Sequence, residues 1–406
     1  MTNKLVYDVI VVGAGLIGAA ALRHFSTSGG NVLGIGPDEP TNWQTHTGVY
    51  ASHYDQGRIT RRVDPDFVWS LLGARAIDDY ATIEGDSDIP FHGAVGCLRV
   101  TADASAPDDS LTQSRQNGVD NGAVLADLDS SEMATVFPFF HLPDSGTGVL
   151  ESRGAGYINP PALIEAQLAI ARQHGANRVR ATATELSRRD SQWHIHCDNG
   201  EIYGTSKLLV TTGAFTNGLL PKPLDLRPRS ATTLLAEVSD VEAQRLAEMP
   251  SVIYRLPENP LVFSIYALPP IRYPDGKLYL KIGHTYHKPL YFPDQASLCQ
   301  WYKGQGEVDH WETMNEILFT LIPNLQPERL FTRPCAVTHT AHERPYIDMI
   351  DEDLYVAVGG CGGAAKSSPE IGKIAAMLVE REKWTYDVAA ETFSAVYQKE
   401  TANILV

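Results

Sequence analysis

The N-terminal segment constrains the fold most, because an apolar run ends directly in a spaced set of glycines. Residues 7–12 read Tyr-Asp-Val-Ile-Val-Val, and Gly13, Gly15 and Gly18 follow in the spacing G-x-G-x-x-G. A continuous β-branched run is typical of a parallel strand that is buried on both faces. The apolar residues from 16 to 22 predict a helix, and a second strand predicted over 31–36 completes a β-α-β unit.

Each glycine of this motif has a separate task at a dinucleotide site. Gly13 permits a tight turn, Gly15 lets the backbone approach a pyrophosphate, and Gly18 lets the helix pack on the strand. Leu16 and Ile17 open the helix, whose N-terminus would face the phosphate charge. The motif therefore predicts an α/β, Rossmann-like domain with these five residues at the cofactor.

The end of the second strand does not follow the usual pattern. A carboxylate that binds the ribose is expected there, about 20 residues after the glycines, but the position is Gly36. Asp38 is predicted to make this contact instead, with Glu39 as the alternative. Because residues 31–57 contain no lysine or arginine, nothing local would bind the 2′-phosphate of NADP. The cofactor is expected to be FAD or NAD.

Composition limits the partners of the chain. Its 406 residues include 33 Lys and Arg against 49 Asp and Glu, a formal charge of −16. This charge argues against general binding to nucleic acid or to an anionic membrane, since both attract basic surfaces. The most apolar stretch, residues 9–22, is shorter than the roughly 20 residues of a membrane span. We therefore expect a small-molecule partner and a cytoplasmic location, and the oligomeric state stays open.

A second glycine-rich segment, near the C-terminus, favours a flavin. Residues 354–359 predict a buried strand, and Gly360, Gly362 and Gly363 follow in a loop that leads through Lys366 to a helix predicted over 369–380. A helix N-terminus aimed at a reduced flavin would stabilise the negative charge on its ring. A nicotinamide has no such need. Gly213 ends a further predicted strand, and we expect it at the cofactor as well.

The amino-acid composition of the chain changes between these glycine-rich segments. Loop-rich and aromatic-rich stretches predict antiparallel strands and long loops rather than β-α-β units. We predict an FAD-binding domain over residues 1–84, 150–220 and 331–406. Residues 85–149 and 221–330 are predicted to form an inserted α+β substrate domain with a mixed or antiparallel sheet.

No metal site is predicted. The five cysteines show neither a metal-binding nor a disulfide spacing, which is typical of separate thiols in a reducing compartment. His339 and His342 are an odd number of positions apart, so on a strand they would point to opposite faces.

Several segments together give the chain a family resemblance. They are the N-terminal glycine motif, SHYDQGRITR at 52–61, LKIG at 280–283, CAVTHT at 335–340 with PYID at 345–348, and GGCGGAAK at 359–366. In this order, over nearly the whole chain, they resemble the D-amino-acid-oxidase superfamily and, within it, the branch of monomeric sarcosine, N-methyltryptophan and pipecolate oxidases. The resemblance implies an FAD-binding domain of the glutathione-reductase type.

The resemblance also implies a reaction. The substrate would be a small carboxylate-bearing secondary or N-substituted amine, and hydride would pass from the carbon next to nitrogen to flavin N5. Water would hydrolyse the resulting imine. Molecular oxygen would take up the electrons and yield hydrogen peroxide.

Individual residues acquire roles from the same resemblance. Cys335 falls where that branch links the flavin 8α-methyl group through a thioether, so FAD is expected to be covalently bound there. Arg61 and Lys366 fall where two cations bind the substrate carboxylate, a group that arginine recognises well. Arg58 falls where an arginine lies beside the isoalloxazine ring, and Lys281 matches a lysine that promotes oxygen reduction.

Further residues are expected around the substrate and the cofactor. Val337 and Tyr54 stand where sarcosine oxidases carry other side chains, which indicates an altered pocket. Tyr266, in a strand predicted over 261–267, is a further candidate for the pocket wall. Ser52 is expected at the cofactor, and His284 lies one position before the histidine of that branch.

Three alternatives stay open. The first keeps the fold but passes electrons to a protein or a quinone, as an amino-acid dehydrogenase or demethylase would. The second is an NAD-dependent dehydrogenase. The third is a non-catalytic dinucleotide-binding protein, for which the pair of Arg61 and Lys366 would have no purpose.

Overall fold

The chain folds around a first sheet with a parallel centre. The computed structural model describes residues 6–102, 109–256 and 258–399, so the ends of the predicted FAD-binding domain, residues 1–5 and 400–406, lie outside the described residues. The strands of the first sheet are β1 (Val6–Val12), β2 (Val32–Ile35), β9 (Asn177–Val179), β10 (Ala183–Arg189), β11 (Gln192–Cys197), β12 (Ile202–Val210), β18 (Tyr346–Asp351) and β19 (Leu354–Val358). β1 pairs in parallel with β2 and β12, β9 extends the parallel part beyond β2, and β19 extends it beyond β12. The strands that precede both predicted glycine segments therefore end at the same edge of one sheet.

The second sheet is mainly antiparallel. Its strands are β5 (Cys97–Thr101), β6 (Leu125–Asp129), β7 (Thr147–Glu151), β13 (Leu226–Val238), β14 (Ser251–Arg255), β15 (Val262–Arg272), β16 (Leu278–Tyr286) and β17 (Pro327–Thr340). They lie in the order β17-β13-β16-β15-β14-β5-β7-β6, and only β5 and β14 pair in parallel among these described strands. β17 pairs with β13 along its length, so the predicted domain boundary at residue 331 is wrong: it falls inside a strand of this sheet.

A small third sheet and the helices complete the fold. The sheet has the order β3-β8-β4, with β3 (Arg58–Thr60), β4 (His92–Gly93) and β8 (Gly156–Ile158). The α-helices are α1 (Leu16–Thr27), α2 (Phe67–Ser87), α3 (Asp109–Asp120), α4 (Ser130–Val136), α5 (Pro160–Gln173), α6 (Asp240–Arg245), α7 (Gln295–Tyr302), α8 (Trp311–Leu321) and α9 (Ala364–Arg381). Short 3-10 turns span Gly213–Gly218, Val308–His310 and Ala390–Thr392.

Helix α9 begins earlier than the sequence predicts. It starts at Ala364, directly on the glycine loop, and contains Pro369 in its interior. Proline lacks the N–H that would bond the carbonyl four residues back. The hydroxyl of Ser368 donates to that carbonyl, the oxygen of Ala365, at 3.0 Å. This replacement lets the helix continue through the proline.

The core confirms the predicted α/β packing. Alternate residues of β1 enter different clusters: Val9 and Val11 pack against α1, α2, α5 and α9, whereas Ile10 and Val12 pack on the opposite face of the sheet. The strand is buried on both faces, as its continuous apolar run predicts. The second sheet has its own core, which includes residues of α8. Among the described residues, no helix is both long and apolar enough for a membrane span.

Candidate active site

The turn between β1 and α1 leaves room for backbone only. Gly13 has a φ of +107°, and a Cβ there would lie 2.6 Å from the carbonyl oxygen of Thr211. A Cβ on Gly18 would lie 1.8 Å from the carbonyl oxygen of Gly13, so the helix packs directly on the turn. Gly15 is the N-cap of α1, and residues 13–17 line a large cavity. The partially positive helix N-terminus at this cavity fits a phosphate group.

The end of β2 does not place an acid at the cavity. Gly36 lines the cavity, and a Cβ there would lie 2.6 Å from the backbone nitrogen of Ala14. The carboxylate of Asp38 is instead bound by Arg178 at 2.8 Å and by Arg180 at 2.9 Å. The ribose contact of Asp38 stays a prediction, and in this structure two arginines from the region of β9 hold its side chain. Local sequence reasoning missed them since they follow about 140 residues later.

The C-terminal glycine loop reaches the same cavity. Gly359, Cys361 and Gly362 all have positive φ, at +91°, +45° and +77°. Residues 360–364 line the cavity, and Gly363 is the N-cap of α9. Two helix N-termini, those of α1 and α9, thus meet one cavity, which is the arrangement predicted for a ligand with phosphate and ring charges.

Two other residues predicted at the cofactor also line this cavity. Gly213 has a φ of +55° and opens the turn after β12. The hydroxyl of Ser52 donates to the carbonyl oxygen of Ala336 at 2.8 Å, which ties the segment before β3 to β17. Distant parts of the chain are therefore held together along one wall.

A buried carboxylate organises the predicted catalytic cations. Asp55 accepts hydrogen bonds from Arg58 and Lys281 on one oxygen and from the Tyr273 hydroxyl, at 2.5 Å, on the other. Lys281 also donates to the carbonyl oxygen of Gly57 at 2.8 Å. Burial lowers the pKa of Lys281, the charge of Arg58 adds to this effect, and Asp55 opposes it. Burial alone would raise the pKa of Asp55, but the two cations hold it well below its usual value.

The wall beside this network carries Cys335 and the predicted pocket residues. Cys335, Val337, Tyr54 and Tyr266 all line the cavity. A guanidinium nitrogen of Arg58 lies 3.8 Å from the sulfur of Cys335. The ammonium group of Lys281 lies 5.4 Å from the centre of the Tyr266 ring but does not itself line the cavity. Lys281 therefore lies just behind the cavity wall.

Arg61 and Lys366 do come together, but around an acid of the protein itself. Arg61 donates to Asp64 at 2.8 Å and to the carbonyl oxygen of Val63 at 3.0 Å. The amine of Lys366 lies 3.6 Å from the same oxygen of Asp64 and donates to the carbonyl oxygen of Trp69 at 2.6 Å. Arg61 and Asp64 line the cavity, whereas Lys366 does not.

The predicted substrate contact of Lys366 is corrected by this arrangement. Its amine is packed under helix α2, where a Cβ on Gly73 would lie 2.7 Å from it. Burial lowers the pKa of Lys366, and Asp64 opposes the shift. Burial raises the pKa of Asp64, but Arg61, Lys366 and Arg99 outweigh it and keep the carboxyl ionised below its usual range. Lys366 therefore positions Asp64 and Arg61.

Sequence reasoning missed two arginines on the floor of the cavity. Arg99 on β5 and Arg255 on β14 both line it. The parallel register pairs Arg99 with Ile253 and Thr101 with Arg255, so both arginines project from one face of the second sheet. No local pattern predicts this pairing, because the two strands lie about 150 residues apart in sequence.

His284 lies at an opening between two strands. The pairing of β13 with β16 ends at Thr233 and Gly283, and His284 follows directly. It is buried and lines the cavity, and within the described part of the chain neither of its ring nitrogens has a hydrogen-bond partner. Burial lowers its pKa to about 3, so the ring is neutral.

The two histidines considered for a metal turn to different partners. His339 lies 2.5 Å from Glu343, and His342 lies 3.1 Å from the carbonyl oxygen of Ser394. They do not converge on one position, and only His339 lies on β17, because the strand ends at Thr340 and His342 lies in the turn that follows.

The cavity has the size and chemistry for a dinucleotide with a ring system. Its volume is about 1100 Å³. Both glycine turns and both helix N-termini open into it, and the sheet face with Tyr266 forms its far wall. The close backbone contacts at Gly13 and Gly36 exclude side chains from the part where a pyrophosphate and ribose would lie. These residues fit FAD.

Known proteins resemble this chain over its whole length. It is 25% identical to monomeric sarcosine oxidase of Arthrobacter sp. (strain TE1826), covering 99% of this chain and 100% of the relative. It is 23% identical to N-methyl-L-tryptophan oxidase of Yersinia pestis (strain Pestoides F), covering 95% and 98%. The solved structure of NikD, an amino acid oxidase of nikkomycin biosynthesis, superposes with a TM-score of 0.78 at 18% identity, covering 96% and 98%.

The family assignment follows from a match that spans both sheets. The DAO family of FAD dependent oxidoreductases matches residues 8–378. This range includes the glycine turn at Gly13, Cys335 and the loop that leads to Lys366. The match confirms the predicted family resemblance. It also confirms that the cofactor is FAD and not NAD. The chain belongs to the DAO family of FAD dependent oxidoreductases.

Proposed function

We propose that the protein oxidises a small amine that carries a carboxylate, namely a secondary or N-substituted amino acid, and that molecular oxygen takes up the electrons. One observation carries this proposal: a single cavity connects both glycine turns with Arg61, Tyr266 and the Asp64 carboxylate. The full-length relatives are named for sarcosine and N-methyl-L-tryptophan, both N-methylated amino acids. The cofactor region and an anion-binding wall thus belong to one site.

The chain supplies the positions that would hold FAD. Residues 13–17 and 360–364 would bind its phosphate and ring portions through backbone groups and helix N-termini. FAD, when bound, accepts a hydride from the carbon next to the amine nitrogen and passes the electrons to oxygen, which yields hydrogen peroxide. Protein side chains would bind and orient the substrate, exclude water and attach the cofactor.

Arg61 would bind the substrate carboxylate. It lines the cavity, and the planar guanidinium suits two parallel hydrogen bonds to a carboxylate. Its contacts with Asp64 and Val63 hold the side chain in place before substrate arrives. Fixing one end of the substrate orients the reacting C–H bond, and such positioning makes a large contribution to rate.

The side chains of Tyr54, Tyr266 and Val337 would surround the rest of the substrate. All three line the cavity, and each is apolar over most of its surface. An apolar surround excludes water and strengthens the charge interaction at Arg61. It also favours the uncharged form of the substrate amine, which is the form that can lose hydride.

Lys281 and Arg58 would provide the positive charge that oxygen reduction requires. Both are bonded to Asp55, which keeps them in place close to Tyr266 and Cys335. A preorganised charge stabilises negative charge as it develops, without any reorganisation cost. Lys281 is the residue on which reaction with oxygen would depend.

Cys335 would attach FAD through a thioether. It lines the cavity on β17, and its sulfur lies 3.8 Å from a nitrogen of Arg58.

The experiment is a screen of amines with the purified yellow protein. We expect N-methylated amino acids to generate peroxide in air and to bleach the flavin absorbance at about 450 nm under argon. The matching amines without a carboxylate should be much poorer, and Arg61→Met should remove this difference. Bleaching without peroxide would assign the electrons to a protein or quinone acceptor, and a colourless protein that binds only a nicotinamide would overturn the proposal.

A further inference from the structure

The second sheet has an opening between β13 and the chain that follows β16. The pairing of the two ends at Thr233 and Gly283, and hydrogen bonds join them again at Ser230 and Leu290. The segment 284–289 is longer than the stretch of β13 beside it, so it bends away and leaves a gap. Residues from both sides of this opening line the cavity.

His284 lies in this opening, behind the predicted substrate wall. Tyr266 pairs with Gly283, and a Cβ on that glycine would lie 2.2 Å from the Tyr266 ring. His284 is the next residue, so its side chain leaves the opposite face of the strand, on the side of the core residues Ile282 and Tyr286. Because His284 nevertheless lines the cavity, the cavity extends from the Tyr266 ring into the opening.

A loop closes the opening on the far side of the sheet. The Glu307 carboxylate of loop 303–310 accepts hydrogen bonds from Ser230 at 2.8 Å and from Thr232 at 3.3 Å. The backbone nitrogen of Glu307 donates to the Thr232 hydroxyl at 2.9 Å. A Cβ on Gly306 would lie 2.5 Å from the same hydroxyl, so the loop packs directly on β13. The opening therefore forms a side pocket of the cavity.

His284 brings unused hydrogen-bonding groups into this side pocket. Its side chain is buried, with an exposed fraction of 8%, and within the described part of the chain both ring nitrogens lack a hydrogen-bond partner. Its ring centre lies 3.9 Å from that of Tyr286, so its surroundings suit an apolar residue. An unpaired polar group is costly in such a place and calls for an explanation. A ligand that enters from the cavity would supply the missing partner.

The charges around the side pocket favour an uncharged ligand group. Burial lowers the pKa of His284, so the ring is neutral and offers one donor and one acceptor. The Glu307 carboxylate at the closed end repels an anion, and Arg229, which lines the cavity at the border of the opening, repels a cation. An amide or a hydroxyl both donates and accepts without carrying charge, so either group fits.

We propose that His284 and the opening between β13 and β16 form a subsite for an uncharged amide or hydroxyl group of the substrate. This inference rests on the proposed function, in which Arg61 binds the substrate carboxylate. The amide or hydroxyl would end the side chain or the N-substituent of the amino acid. His284 would select such substrates, because an apolar group in its place leaves the buried nitrogens unpaired.

A binding experiment tests the subsite without turnover. The flavin-loaded protein is titrated with succinamate, glutaramate and adipamate, which are monocarboxylates that end in an amide. Each is compared with the branched acid of equal length in which two methyl groups replace the amide oxygen and nitrogen, and the flavin absorbance at about 450 nm reports binding. At the length that spans Arg61 and His284, the amide should bind about 10- to 100-fold more tightly, which corresponds to about 1.4 to 2.8 kcal/mol. Equal binding of amide and branched acid at every length would overturn the subsite.

Two variants and a matched control assign the preference to His284. His284→Leu suits the apolar neighbours and should remove the preference for the amide, whereas His284→Gln retains a donor and an acceptor and should keep most of it. The control is His287→Leu, because His287 is exposed, lies 3.1 Å from the carbonyl oxygen of Asn259 and is outside the cavity lining. A His284→Leu protein with the wild-type preference would overturn the subsite, even if its melting temperature had changed.

Kinetics separate this inference from the proposed function. The better of N-methylasparagine and N-methylglutamine should exceed N-methylleucine in kcat/KM by about 10- to 100-fold, on the same contact energy, and His284→Leu should cancel the gain mainly through KM. Oxidation of all three amines at equal kcat/KM would retain the proposed function and overturn the subsite. A preference for amides that depends on His284, in a protein that oxidises no amine, would support the subsite and overturn the function.

Discussion

Arg61 and Lys366 lie 305 positions apart in the chain and contact the same oxygen of Asp64, at 2.8 Å and 3.6 Å. The two cations that sequence comparison associates with a substrate carboxylate thus already share a carboxylate of the protein. Arg61 faces the cavity and Lys366 lies behind it. The positions of the Arg61 and Lys366 side chains therefore depend on Asp64.

Asp64→Asn should destabilise the protein markedly. Removing one member of a buried ion cluster leaves uncompensated charge and costs about 3 to 5 kcal/mol. The cations hold the pKa of Asp64 below its usual value, so its stabilising effect is present at neutral pH and is lost as the pH falls below about 4. Urea denaturation at pH 7 and at about pH 3, below the unfolded pKa of an aspartate, measures both effects, with the exposed Asp78→Asn as the control. Equal stability of Asp64→Asn and wild type at pH 7 would contradict the ion cluster.

Lys281→Met should impair the reaction with oxygen and spare flavin reduction. The substitution removes a preorganised charge, a loss of about 100-fold or more, while Arg58 still neutralises Asp55. Stopped-flow reoxidation in air and reduction by substrate under argon separate the two half-reactions. Lys277→Met is the matched control, since the half-exposed Lys277 lies just before β16 and pairs with a different carboxylate, that of Glu237, away from the cavity lining. A Lys281→Met protein that reoxidises at the wild-type rate would assign this role to another residue.

The reoxidation rate should depend on pH through the same lysine. Burial, together with the charge of Arg58, lowers the pKa of Lys281 to about 8. The ammonium form therefore predominates below this pH and is lost above it, so the rate constant should fall as the pH rises through about 8. Reoxidation measured from pH 6 to 10 should show the decline in wild type and a flat profile in Lys281→Met. The same decline in both proteins would show that a different group titrates.

Cys335→Ser should leave the flavin non-covalent. Acid precipitation of the wild type is expected to keep the yellow colour in the pellet, whereas the variant should release it into the supernatant. Intact-protein mass spectrometry provides an independent measurement. Cys299→Ser is the control, because Cys299 donates to the carbonyl oxygen of Gly48 outside the cavity lining. Retained colour in Cys335→Ser would move the attachment to Cys361, which also lines the cavity.

Gly18→Ala should abolish flavin binding. A Cβ at Gly18 would lie 1.8 Å from the carbonyl oxygen of Gly13, so the β1–α1 turn, which we propose binds the FAD phosphates, would have to open. Gly85→Ala is the contrasting change, since a Cβ there meets nothing within 4 Å on helix α2. Alanine in an open helical position should stabilise the protein by about 0.5 to 1 kcal/mol. The flavin content per protein and the melting temperature measure both outcomes, and a fully loaded Gly18→Ala protein would contradict this role.

The sequence by itself determined the cofactor-binding half of this protein. The apolar run of β1 and the spacing of Gly13, Gly15 and Gly18 specify a strand, a tight turn and a helix through local sterics alone. The loop around Gly362 and the positions of Cys335 and Lys281 were recognisable because short motifs surround them. Such features depend on only a few neighbouring residues, so they can be predicted from the sequence without knowledge of the rest of the fold.

Only the tertiary structure decided how the charges are paired. The contacts of Asp38 with Arg178 and of Lys366 with Asp64 join residues far apart in the chain. The neighbouring positions of Arg99 and Arg255 depend on the register of two strands from separate parts of the sequence. Strand pairing and burial determine which charges meet, and neither has a local signature. For this reason the sequence indicated an FAD enzyme, whereas the pairing of the charges around its cavity emerged only from the folded chain.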